Sequence, residues 1–125
     1  MDIRFTPREL DIMGILWTSG PSTVAEVQEE LKDDLAYTTV LTMLRIMERK
    51  RYLSRRREGR ADRYTPKVKQ QAAGKSALGR VTERLFGGSP EELLIRLVDA
   101  DLDADQLRRM RDLLDRRIRE MEGGK

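Results

Sequence analysis

Apolar and polar residues follow two different periods along this chain, and the change from one to the other falls within residues 36–66. Thr6-Pro7-Arg8-Glu9 has the form of a helix start, with a capping threonine, a proline at the first helical position and a glutamate three residues after the cap. Leu10, Met13, Leu16 and Trp17 then recur at helical spacing. They predict a helix running to about Trp17, with Trp17 in the core, that Ser19-Gly20-Pro21 breaks. Thr23-Val24-Ala25-Glu26 repeats the capping pattern. It opens a second helix with Val24, Val27 and Leu31 inward and an acidic outer face at Gln28, Glu29 and Glu30. A third helix begins near Ala36 or Tyr37 and runs to about residue 51, with Val40, Met43, Leu44 and Met47 on one face. At about 100° per residue, Thr38, Thr42, Arg45 and Arg49 lie together on the opposite face.

The period then shortens. Leu53-Ser54-Arg55-Arg56-Arg57 and Ala61-Asp62-Arg63-Tyr64 read as two short strands joined around Gly59, which can take the positive φ of a tight turn. A two-stranded hairpin is marginal alone in water, so it should pack on the helices through Leu53 and Tyr64. Arg55, Arg57 and Arg60 are then expected to be free to meet phosphate. Beyond Pro66, a helix from Val68 carries Ala72, Leu78, Val81 and Leu85, and Gly87-Gly88 ends it. Ser89 caps a short helix with Leu93, Leu94, Leu97 and Val98, and Asp103 starts a last one with Leu107, Met110, Leu114, Ile118 and Met121. These narrow apolar stripes could fold back on the winged part, but about 60 residues of stripe-bearing helix are more than that requires. A second copy is the simplest cover, which predicts a two-fold dimer.

The fold expected is mainly α with a small β wing. A winged helix-turn-helix DNA-binding domain spans residues 1–66, and a helical dimerisation region spans 67–125. Taken alone, the third helix fits a solvated surface as well as a DNA-reading one. The basic hairpin directly after it favours DNA, because arginine can pair bidentately with guanine and a threonine methyl can meet a thymine methyl.

Charge distribution supports the same stretch. Residues 1–35 hold three basic and eight acidic side chains, whereas residues 36–66 hold nine and three. The net charge of the chain is only +3, so the positive field belongs to the hairpin and the helix before it. Cysteine and histidine are both absent, which removes disulfides, thiol catalysis and the commonest general base. The acidic face of the second helix reads as solvated surface rather than a cation site, and neither metal nor cofactor is expected. With no Gly-rich phosphate loop and no carboxylate pair in an apolar pocket, enzymatic activity is not expected. Residues 1–10 lack the apolar core of a signal peptide, and no apolar run approaches the roughly 18 residues of a membrane span. A cytoplasmic protein without membrane insertion is expected.

The chain resembles the BlaI/MecI penicillinase-repressor family over nearly its whole length. The resemblance rests on Leu16-Trp17, the Thr23-Val24 helix start, Leu35-Ala36-Tyr37-Thr38-Thr39-Val40 with Thr42 and Leu44, Gly59-Arg60-Ala61 before Tyr64-Thr65-Pro66, and Leu85-Phe86-Gly87-Gly88-Ser89. It implies a homodimeric repressor that places one winged helix on each half of a palindromic operator and pairs through its C-terminal helices. DNA contacts carried over from the family fall on Thr38, Thr39, Thr42 and the wing arginines; Arg45 and Arg49 come from the helical wheel. The pairing stripe is Leu93, Leu94, Leu97, Leu107, Met110, Leu114 and Ile118. The resemblance implies a further partner, because family members that answer β-lactams are inactivated by a membrane metallopeptidase sensor, which cuts an Asn-Phe bond in the C-terminal region. This chain contains no asparagine, and the matching place falls at Ile95-Arg96-Leu97. Cleavage there would have to use another bond. The cysteine sensor of copper-responsive relatives is excluded. The competing reading is a winged-helix protein-interaction module without sequence-specific DNA binding, for which the acidic first two helices speak.

Overall fold

A computed structural model describes residues 3–124. The chain forms two compact units, one up to Leu78 and one from Gly79 onward.

In the first unit, helix α1 (Pro7–Ser19), strand β1 (Ser22–Thr23), helices α2 (Val24–Glu30) and α3 (Tyr37–Arg49), and strands β2 (Leu53–Glu58) and β3 (Ala61–Pro66) follow in order. Both capping boxes form. Glu9 N–H donates to the Thr6 hydroxyl at 3.1 Å while the Glu9 carboxylate accepts from Thr6 N–H at 2.9 Å. Thr23 and Glu26 repeat the exchange at 2.8 and 3.2 Å. Each box satisfies amide donors that a helix N-terminus otherwise leaves unpaired.

The core joins Ile12, Met13 and Leu16 of α1, Val24, Val27 and Leu31 of α2 and its cap, and Val40, Leu44 and Met47 of α3 with Tyr52, Leu53 and Tyr64. Leu10 does not share it. Half of its surface stays exposed, and Ile12 takes the inward place. The reason lies with Glu9, which is buried and accepts a hydrogen bond from Lys50 Nζ at 2.7 Å. A paired carboxylate sits on the inward face of α1, so the buried stripe is rotated from the one that apolar residues alone define. Met43 is only partly buried. Trp17 is half-buried, meets Phe5 edge-to-face at 6.1 Å, and donates its indole N–H to Val68 O at 2.9 Å.

The sheet has three strands in the order β1-β3-β2, all antiparallel. The hairpin was expected with two. Ser22 and Thr23, which also supply the cap of α2, add the third by pairing with Tyr64 and Arg63. Gly59, at φ +63°, and Arg60 form the two-residue turn between the paired Glu58 and Ala61. A positive φ at the first central residue alone suits the twist of a hairpin. Leu53 and Tyr64 are fully buried as anchors.

Helix α4 (Gln70–Leu85) spans the division between the units. It begins two residues after Val68, which is itself buried, and it buries Ala73 rather than Ala72. Gly87 and Gly88, both at positive φ, separate α4 from α5 (Pro90–Val98), which Ser89 caps. Asp103 and Gln106 form a third capping box at the start of α6 (Ala104–Gly123). Neither α5 nor α6 contains a fully buried residue. Leu93, Leu94 and Leu97 of α5 and Leu114 of α6 line a depression of about 300 Å³. The apolar stripe of the second unit is therefore left open to solvent within one chain, with Leu97, Leu114 and Ile118 about half exposed.

Candidate nucleic-acid interface

Helix α3 owes its position to its own stripe and to the turn before it. Ala36 caps it without a side-chain bond, and the Gln28 amide of α2 donates to Leu35 O at 2.9 Å to hold that turn. An ion pair between Arg8 and Asp33 fastens the same turn to α1. With Val40, Leu44 and Met47 buried, the opposite face is turned outward. Thr38, Thr39, Thr42, Arg45 and Arg49 are all exposed. The Thr42 hydroxyl donates to Thr38 O at 2.9 Å. That bond uses its proton and leaves the methyl and the oxygen lone pairs for an outside partner.

The wing divides its arginines by strand parity. Leu53, Arg55, Arg57, Asp62 and Tyr64 share one face of the hairpin, because Arg55 lies opposite Tyr64 and Arg57 opposite Asp62. That is the anchored face. Arg55, expected to be free, is instead held between Glu48 of α3 and Asp62 of β3, each at 3.5 Å. Arg57 is more exposed but lies 3.4 Å from Asp62. On the other face Arg56 reaches Glu58 at 3.6 Å. Arg63 binds Glu58 and Glu26 at 2.9 and 3.1 Å and donates to Pro21 O. Arg56 and Arg63 were not singled out by number from sequence, although alternation from Leu53 and Tyr64 places them on the outer side. The three acidic groups of residues 36–66, namely Glu48, Glu58 and Asp62, are thus all engaged by wing arginines. Among the described residues, Arg45, Arg49, Arg51 and Arg60 have no ion-pair partner. Arg60 stands at the hairpin tip, and Arg51 at the corner between α3 and β2 was not singled out from sequence.

Beneath this surface lies Tyr64. It is fully buried, and its hydroxyl has no hydrogen-bond partner among the described residues. Burial pushes its phenol above the ordinary value; Arg55 and Arg45 oppose the shift, while Glu48 and Asp62 add to it. The Thr23 amide, helped by the Thr23 hydroxyl and the Arg63 guanidinium, holds the Glu26 carboxyl below its usual range. Among the described residues no cluster of three or more potential metal ligands occurs. No helix there is long and apolar enough to cross a membrane.

The sequence pattern that defines the penicillinase repressors matches residues 5–116. The chain belongs to the penicillinase repressor family. The transcriptional regulator BlaI from two strains of Mycobacterium tuberculosis, CDC 1551 / Oshkosh and ATCC 25618 / H37Rv, is 32% identical over 120 residues, covering 93% of this chain and 83% of the relative. Among solved structures, transcriptional regulator Tm0710 from Thermotoga maritima superposes with a TM-score of 0.54 at 23% identity, covering 96% of this chain and 78% of its own. A MarR family protein from Bacillus stearothermophilus gives 0.56 at 19%, covering 98% and 78%. At those identities the two structures speak for the fold, which is a winged helix. This penicillinase-repressor relative is a transcriptional regulator of the BlaI type.

The structure brings Thr38, Thr42, Arg45 and Arg49 onto one exposed face, as the helical wheel of α3 indicates. Ile95, Arg96 and Leu97 lie in the C-terminal half of α5, in regular helix.

Proposed function

We propose that the protein is a homodimeric repressor that occludes a promoter by binding a palindromic operator. Residues 1–66 serve as the DNA-binding part and 67–125 as the pairing part. Helix α3 enters the major groove with Thr38, Thr39, Thr42, Arg45 and Arg49, and the wing meets the phosphate backbone with Arg57 and Arg60. Arg55 acts on that contact from its place between Glu48 and Asp62. The observation that carries this reading is the exposed face of α3, where two arginines with no ion-pair partner among the described residues stand beside threonine methyls. Leu93, Leu94, Leu97, Leu107, Met110, Leu114 and Ile118 pair two chains, which covers the open stripe of the second unit. Two recognition helices related by a two-fold axis meet half-sites about 34–36 Å apart, or a multiple of that. Relief of repression by a membrane metallopeptidase would need a bond other than Asn-Phe, with the helix around Ile95-Arg96-Leu97 unwound to expose it.

Binding of genomic fragments by the purified protein, followed through rounds of selection and then across salt, tests the reading. One enriched inverted repeat is expected, with affinity falling as roughly the −0.9 power of salt per phosphate neutralised. Failure to retain any duplex at low salt would refute DNA binding and leave the protein-interaction module in its place.

A further inference from the structure

The wing carries its own counter-charge on the face it shares with α3. Asp62 lies 3.5 Å from Arg55 and 3.4 Å from Arg57, one carboxylate oxygen to each guanidinium. Glu48, on the recognition helix itself, holds the remaining side of Arg55 at 3.5 Å. Asp62 is largely shielded, at 17% side-chain exposure, whereas Arg57 is 65% exposed. The carboxylate is therefore the shielded partner and the guanidinium the one open to solvent. Distances at the long end of ion pairing, with one partner in solvent, describe weak contacts that a second anion can replace. A phosphate oxygen offers arginine the same charge-assisted hydrogen bond as a carboxylate oxygen.

We propose that Asp62 acts as an internal stand-in for phosphate, holding Arg55 and Arg57 back from DNA and so limiting sequence-independent affinity. The proposal rests on the DNA-binding reading above. Arg55 and Arg57 must each give up Asp62 before turning to a phosphate, so these two add little on duplex that α3 does not also engage. Discrimination is thereby raised by opposing the wrong partner rather than by strengthening the right one. Asp62 is thus a positioning residue that works through two arginines.

Fluorescence anisotropy with a labelled random-sequence duplex and with a selected fragment, across a salt series, tests this. Asp62→Asn should bind the random duplex about three- to fivefold tighter, the span expected for losing one weak ion-pair competitor. Its salt dependence should steepen by about 0.9 for each guanidinium released. The gain on the selected fragment should be smaller, so the ratio between the two affinities falls. In an Arg57→Ala background the gain from Asp62→Asn should shrink by at least half. An undiminished gain there would mean that Asp62 acts only through the overall field, and the proposal would be overturned. Unchanged or weaker binding by a folded Asp62→Asn protein would overturn it as well. If that variant fails to fold, Asp62→Ser, which removes the same carboxylate from Arg55 and Arg57, should give a gain of the same sign, and no gain would be equally fatal. Wild-type protein that binds neither duplex would refute the DNA reading itself and not the role of Asp62 within it.

Discussion

Arg51 is held at φ +69°, the only non-glycine residue with positive φ among those described. Its amide donates to Glu48 O at 2.9 Å, and the next amide, from Tyr52, reaches back to Met47 O at 3.0 Å. With Lys50 as the C-cap of α3, these two bonds are those of a Schellman motif, and the buried Met47 and Tyr52 flank it as its usual apolar pair. Glycine is the residue this position favours, because a Cβ in the left-handed region crowds the following carbonyl at a cost of about 1–2 kcal/mol. Glycine in turn gives the unfolded chain extra freedom, worth about 0.4–1 kcal/mol. The difference predicts that Arg51→Gly stabilises the protein by about 0.5–1 kcal/mol. Urea denaturation followed by circular dichroism should show a midpoint higher by a few tenths molar, from a slope of about 1–3 kcal/mol/M that stays unchanged. Arg51→Ala is the control. It removes the same charge from beside Arg49 and Lys50 but keeps the Cβ. If alanine stabilised as much as glycine, relief of charge repulsion and not of backbone strain would be the cause. A lower midpoint for Arg51→Gly would refute the strain argument altogether.

Other outcomes follow from the same geometry. Tyr64→Phe removes a buried hydroxyl that finds no hydrogen-bond partner among the described residues, and should stabilise by about 1 kcal/mol in the same assay. Because the folded phenol titrates above about 10, wild-type stability should be full below that pH and fall as pH rises through the folded value; the phenylalanine variant should lack the fall. Lys50→Ala leaves the Glu9 carboxylate, 8% exposed, without its cation and should cost about 1–3 kcal/mol, whereas Lys50→Arg should cost less. Arg45→Ala should lower discrimination between selected and random DNA, while Arg60→Ala should weaken both alike and reduce the salt dependence by about 0.9; identical behaviour would contradict a division between reading helix and gripping wing. Leu114→Asp should turn a dimer into a monomer in sedimentation equilibrium, and a persistent dimer would place the pairing surface elsewhere.

Most of the winged unit was legible because its signals are local. Capping boxes at Thr6 and Thr23 fix helix starts through bonds spanning three residues, and Leu53 and Tyr64 are the large apolar residues of the two strands that face the core. What escaped depends on partners distant in sequence. Strand β1 is two residues long and exists only by pairing with β3, so no periodicity within Ser22–Thr23 announces it. The inward turn of Glu9, and with it the exposure of Leu10, requires Lys50, forty-one residues away. Arg55 was misjudged for a different reason. The parity of Leu53 already placed it on the anchored side, but the acidic partners awaiting it there came from α3 and β3. In the candidate site, the wheel of α3 located the outward residues, while the ion pairs that separate engaged arginines from free ones needed three dimensions.

The ladder that puts Leu53, Arg55 and Arg57 on one face has a consequence for how this wing can change. Its anchorage and its charge are written in a single reading frame. One residue inserted or deleted between Leu53 and Arg57 would send the basic side chains that follow to the opposite face, away from Asp62 and Tyr64. Substitution is the gentler route. Ser54 and Thr65, a directly opposed pair on the outer face, are sites where charge can be added without disturbing either the hydrophobic anchor or the acidic restraint beneath it. Engineered variants of graded grip, and natural ones, are expected to differ there by replacement while the spacing from Leu53 to Tyr64 stays fixed.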